Sequence, residues 1–184
     1  MKNILLLVHD DEGQEARLQT ALDLTRALDG HLRCIGVTQS PVVAGELYAG
    51  FGEAVLLTDE RENEAKNKAV LTERLSHEDI PWDWTDATGD IASCVIEAAT
   101  LADLIVLNRT LEAYPLPDMR AIASRILVHA RKPIVAVPET LERFNTAGRV
   151  LIAWDGQASA ANTMRACVPL LQLASRVHIF MARD

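Results

Sequence analysis

Short unbroken apolar runs alternate along this chain with longer segments in which apolar residues recur every three or four positions. Ile4 to Val8 is the first such run and reads as a buried strand; Leu18, Ala21, Leu22, Thr25 and Leu28 follow at helical spacing, closed by Asp29-Gly30. Leu32 to Val37 predicts a second strand. From about residue 52 to residue 76, mixed charges (Asp59, Glu60, Arg61, Glu62, Glu64, Lys66, Lys68) predict a long helix with a solvated face. Trp82 and Trp84 alternate with Asp83 and Thr85, the period-two pattern of a half-exposed strand at a sheet edge. Thr88-Gly89-Asp90 opens a helix carrying Ile91, Cys94, Val95 and Ala98 on one face. Leu104 to Leu107 is a fourth strand, Met119, Ile122, Ala123, Ile126, Leu127 and Ala130 make an amphipathic helix, and Ile134 to Val137 is a fifth strand.

Strands that alternate with helices pair in parallel, because each crossover helix must cover a face of the sheet. Residues 1–138 are therefore expected to form one doubly wound, parallel, five-stranded α/β domain. Ligands of such sheets sit beyond the carboxyl ends of the strands, which draws attention to His9, Asp10, Val37 and Asn108. Residues 139–148 read as a polar connector. The opening pattern then returns: Val150 to Gly156, a helix with Met164, Cys167, Val168 and Leu171, and a strand from Val177 to Phe180. Asp155 matches Asp10, so residues 149–184 read as a partial second repeat. A lone strand-helix-strand cannot bury both faces of its sheet, so it should dock onto the first domain, onto another chain, or onto a missing remainder.

Composition narrows the function. In a chain of 184 residues, 49% hydrophobic and 24% charged residues fit a folded globular protein. The net charge of −8 speaks against nucleic acid or an anionic membrane as partner. The first apolar run is too short for a signal peptide or a membrane span, and a cytoplasmic location is expected. Cys34, Cys94 and Cys167 stand far apart and read as reduced core thiols; Asn108-Arg109-Thr110 is a glycosylation sequon by chance. No nucleophile triad, paired-carboxylate spacing, zinc motif or Walker loop occurs, so no catalytic residue and no metal ligand is expected. Asp10 and Asp11 could together hold Mg²⁺ as in receiver domains, with Asp86 as acceptor, but Lys132-Pro133 precedes the fifth strand and lies at the wrong end of the sheet. A capping role for these two aspartates is the simpler reading. His31 and His129 read as structural.

The Gly89-Asp90-Ile91 helix start, the strand Ala102-Asp103-Leu104-Ile105-Val106, and the run from Ser124-Arg125-Ile126-Leu127 to Lys132-Pro133-Ile134 together resemble the universal stress protein family. The partial second copy resembles tandem members that fuse two such domains. The resemblance implies a flavodoxin-like, adenine-nucleotide-alpha-hydrolase-like fold and an adenine-nucleotide site in which three glycines and a Ser or Thr, following the fourth strand, wrap the phosphates. Here Asn108, Leu111, Arg120 and Ala121 take those places, and Pro115 and Pro117 each remove an N–H donor. Asp10 and Val37 match the family's adenosine-facing positions, with Asp155 as the counterpart in the second repeat. Arg109 and Arg120 could clamp an anion in place of the lost amides, and Tyr114 and Leu116 could plug the cleft. A non-catalytic regulatory or interaction protein is expected, without a resident cofactor and with ATP binding lost or weakened. The alternative is a stress-response sensor that holds AMP, ATP or another small anion through Asp10, Asn108 and Arg120. The resemblance also implies a homodimer or a pseudo-dimer of repeats, which a further protein partner could join.

Overall fold

The structure, a computed structural model, describes residues 1–38, 51–108 and 119–181, with the backbone alone at 51–61 and 119. Its centre is β1 (Asn3–Val8), whose unbroken apolar sequence follows from being covered on both faces. Ile4, Leu6 and Val8 point to one apolar layer, Leu5 and Leu7 to the other. β2 (His31–Thr38) and β4 (Leu104–Asn108) flank it in parallel, with Leu6 opposite Cys34 and Val106. β3 (Trp82–Thr88) and β5 (Ile134–Val137) complete a five-stranded sheet of order 3-2-1-4-5. Flavodoxin-type sheets run 2-1-3-4-5; here β3 lies at the edge beyond β2, where the alternating tryptophan pattern placed it.

Helices α1 (Gln14–Ala27) and α2 (Phe51–Ser76) cover the first face through Leu18, Leu22, Leu71 and Leu75. Helices α3 (Ile91–Ala98) and α4 (Met119–His129) cover the other through Ile91, Val95, Ile122 and Ile126, with a single 3₁₀ turn, Ala99–Leu101, leading into β4. Between α1 and β2 the backbone of Gly30 passes so close to β1 that a Cβ there would lie 2.5 Å from the carbonyl oxygen of Lys2. Asp90 caps α3: its carboxylate accepts from the Ser93 amide and from the Arg125 guanidinium, and these hydrogen bonds hold its pKa at about 2. A carboxylate depressed in this way adds stability that is present above the unfolded value of about 3.9 and is lost as pH falls toward 2. Both partners are half exposed, so solvent limits the gain to about 1 kcal/mol. Asp90→Asn should therefore narrow its stability deficit between pH 6 and pH 2 in urea titrations.

The spacing in α1 predicts an amphipathic helix, yet Ala16, Arg17, Leu18, Thr20, Ala21, Leu22, Leu24 and Thr25 are all buried. The connector supplies the reason. Leu141 and Phe144 pack against the same apolar layer as α1, and the Phe144 amide donates to the Asp23 carboxylate at 2.9 Å. The segment after residue 148 forms β6 (Arg149–Trp154), α5 (Ala158–Ala166), α6 (Val168–Leu171) and β7 (Arg176–Met181). One helix was expected here; the chain instead breaks at Cys167, and Pro169 sits in the first turn of α6, where its missing N–H costs nothing. Leu170 and Leu173 pack onto the apolar layer of the large sheet. Among the described residues β6 and β7 pair in parallel as a two-stranded sheet, and every residue of β7 is exposed.

Cys34, Cys94 and Cys167 are free thiols, and burial pushes Cys34 up to about 12. His31 is structural: its Nε2 lies 2.7 Å from Asp83, which also accepts from Arg33. Among the described residues no helix is long and apolar enough to cross a membrane.

Candidate functional site

The strand order reverses direction between β1 and β4, and that switch point is where a doubly wound sheet opens a crevice at its carboxyl end. A small, shallow cleft, partly open to solvent, lies there; Leu7, Arg17, Leu107, Asn108, Ile122, Ala123 and Ile126 line it. Its walls come from the last turns of β1 and β4 and from the inner face of α4.

Beneath it, the turn into α1 builds a buried polar cluster. Asp11 accepts from the Gly13 amide at 2.8 Å, so a side-chain oxygen two residues back satisfies one of the orphan N–H groups at the helix start. The same carboxylate accepts from Arg17 Nη1, at 2.9 Å to one oxygen and 3.0 Å to the other, while Arg17 Nη2 donates to the His9 carbonyl at 2.7 Å. Arg17 is only 3% exposed. Burial pulls its pKa down and the Asp11 charge pulls it back up; a guanidinium stays charged at any ordinary pH. It survives burial because Asp11 neutralises it.

Asn108 ends β4 and is 7% exposed. Its Nδ2 donates to both Asp11 oxygens at 3.2 and 3.3 Å. Asp11 can only accept, so the amide orientation is fixed: nitrogen toward Asp11, oxygen away from it. That oxygen, Oδ1, has no hydrogen-bond partner among the described residues. Gly13 makes the arrangement possible, since a Cβ there would lie 2.8 Å from the Asn108 amide atoms.

The other residues singled out by sequence fall around this cluster in different ways. Asp10 is exposed, and its neighbour Asp11 makes the contact with Asn108. Asp155 accepts from the Gln157 amide at 2.9 Å, the same turn that Asp11 makes with Gly13. Turn geometry thus equates Asp155 with Asp11, and His9 and Asp10 are two additional residues between strand and turn in the first unit. Val37 is buried in the apolar layer with Leu7 and Ile91. Arg120 and Ala121 are exposed in the first turn of α4. Arg109, Tyr114, Pro115, Leu116 and Pro117 lie outside the described residues, so the clamp and plug assigned to them have no structural account. Asp86, the acceptor that a receiver domain would need, is held by Lys68 and by Trp84 Nε1. No group of three or more potential metal ligands occurs among the described residues.

Sequence reading passed over Arg17, the centre of the cluster. Helical periodicity places position 17 beside Leu18 and Ala21, where a charge looks like a solvated residue. The usable signal was Asp11, six residues earlier, at the start of the same helix.

No protein-family model and no curated protein matches the chain. Solved structures do. A universal stress family protein from Burkholderia pseudomallei is 20% identical with a TM-score of 0.58, over 74% of this chain and 96% of its own. A universal stress protein from Archaeoglobus fulgidus DSM 4304 is 13% identical with a TM-score of 0.76, over 99% of this chain and 66% of its own. One from Arabidopsis thaliana, solved with AMP bound, is 13% identical with a TM-score of 0.51, over 75% of this chain and 92% of its own. The five-stranded α/β unit therefore has the fold of universal stress proteins. The Archaeoglobus chain also has counterparts for the connector and for β6 to β7, and a third of it has none here.

Proposed function

We propose that this chain is a universal-stress-type regulatory protein that acts through binding and interaction, not catalysis, and that it has lost the family's grip on nucleotide phosphates. The observation that carries this reading is the Arg17–Asp11–Asn108 cluster. A phosphate at the switch point needs free donors, usually backbone amides at a helix N-terminus. Here the Gly13 amide is taken by Asp11, the buried guanidinium is neutralised by the same carboxylate, and the uncommitted buried atom is an acceptor. The substitutions of glycine by Asn108, Leu111 and Arg120 point the same way.

Two units, residues 1–138 and 149–184 joined by the 139–148 connector, suit a protein that pairs its repeats as a pseudo-dimer or pairs with a second copy. The likeness to the longer Archaeoglobus chain supports the repeat arrangement.

Isothermal titration of nucleotide-stripped protein with ATP, ADP and AMP, with and without Mg²⁺, is the test. No heat of binding is expected up to millimolar ATP. Micromolar ATP affinity would overturn the reading and favour a nucleotide sensor, the reading that the AMP complex of the Arabidopsis protein supports by analogy.

A further inference from the structure

β1 carries a hydrogen-bonded strand on each side, β2 and β4, whereas β6 carries only β7, so among the described residues the outer edge of β6 is unpaired. Such an edge is usually guarded by a charge, a proline or a bulge along the strand. β6 is not. Val150 to Trp154 is apolar throughout, and the charges sit at its two ends, Arg149 at the start and Asp155 one residue past the finish. Both are exposed, and Arg149 has no ion pair among the described residues. Asp155 accepts the Gln157 amide through Oδ1, which leaves Oδ2 for a second donor.

That spacing selects a partner. Turned end for end about Ile152, the segment places Arg149 opposite Asp155, Val150 opposite Trp154, Leu151 opposite Ala153, and Ile152 opposite itself. Opposite charges, and an aromatic ring against a β-branched residue, are cross-strand pairs that stabilise antiparallel strands. A slide of two residues is the smallest that keeps each side chain on its own face, and it either sets Asp155 against Leu151 or leaves it beyond the other strand. From this self-complementary pattern we propose that β6 pairs antiparallel with β6 of a second copy of this chain, about a two-fold axis through Ile152. The result is a continuous four-stranded sheet with β7 at each outer edge, in which the face that carries Leu151 stays open. Pairing through β6 rests on the reading that the chain associates with a second copy, and adds to it a surface and a register.

Light scattering over a dilution series should show the mass doubling with concentration. Disulfide trapping then reads the register, in a chain with Cys94→Ser and Cys167→Ser; Cys34 is fully buried and stays. Ile152→Cys should oxidise to a covalent dimer, because residues opposite each other on antiparallel strands have Cα atoms about 5 Å apart. Leu151→Cys, at the more exposed position, should not. Its copy would lie about 8 Å away, beyond the reach of a disulfide. Arg149→Glu, which turns both terminal attractions into repulsions, should raise the dissociation constant about tenfold or more. Arg165→Glu, the same charge change on α5, should leave it unchanged. A dimer that traps Leu151→Cys as readily as Ile152→Cys, or that Arg149→Glu and Arg165→Glu weaken equally, would overturn the β6 register. A monomer at every concentration would overturn the association with a second copy as well, while the loss of phosphate binding stands or falls by the nucleotide titration.

Discussion

Arg17→Met is expected to destabilise the fold by about 3–5 kcal/mol, the usual cost of removing one partner of a buried ion pair. Methionine fills most of the guanidinium's volume, so the loss is electrostatic rather than a cavity. Asp11, 15% exposed at its side chain, would be left with the Gly13 amide and the long Asn108 contacts as its only donors among the described residues. The His9 carbonyl would lose its guanidinium donor as well. Urea denaturation at pH 7 measures the effect. A loss below about 1 kcal/mol would mean that water reaches this pair as freely as it reaches a surface salt bridge, and the account of the buried cluster would fall with it.

The second large effect comes from comparing one residue type at one strand position in the two units. Leu5 in β1 and Leu151 in β6 each lie two positions after their strand begins. Leu5 is 0% exposed among Leu7, Ile105 and Ile126, whereas Leu151 is 70% exposed. Leu5→Ala should cost about 2–5 kcal/mol, the transfer of the lost methyls plus the cavity left behind. Leu151→Ala should stay within about 0.5 kcal/mol, as surface changes do. Equal costs would show that something covers β6 in solution, and equilibrium unfolding of both variants at several protein concentrations would show whether it is another copy.

The repeating fold was readable because its signals are local. A short apolar run bounded by polar and turn residues fits a strand covered on both faces, and parallel pairing followed once helices separated the strands. The Trp82–Trp84 alternation gave the sheet edge, and Gly89-Asp90 gave the cap of α3 before any geometry was known. The site was less readable because it depends on contacts across the fold. Asn108 and Asp11 are 97 positions apart, and nothing local distinguishes Asp11 from Asp10. The difference is one of turn geometry: two residues intervene between β1 and the capping aspartate in the first unit and none between β6 and Asp155 in the second, which displaced the match by one. Arg17 was hidden for a related reason. Its partners are Asp11 and the His9 carbonyl at the end of β1, which helical spacing along α1 does not show.

The unequal cover of the two sheets bears on how the molecule opens. β1, β2 and β4 lie between helical layers, so their amide protons can meet solvent only when the whole five-stranded unit unfolds. Among the described residues β6 and β7 form a sheet of their own, and Leu170 and Leu173, between them in sequence, reach the apolar layer of the larger sheet. The amides of β6 and β7 should exchange with deuterium through a smaller, separate opening. Earlier exchange at β6 and β7 than at β1 would mark a second cooperative unit, one that presents apolar strand surface without opening the larger sheet.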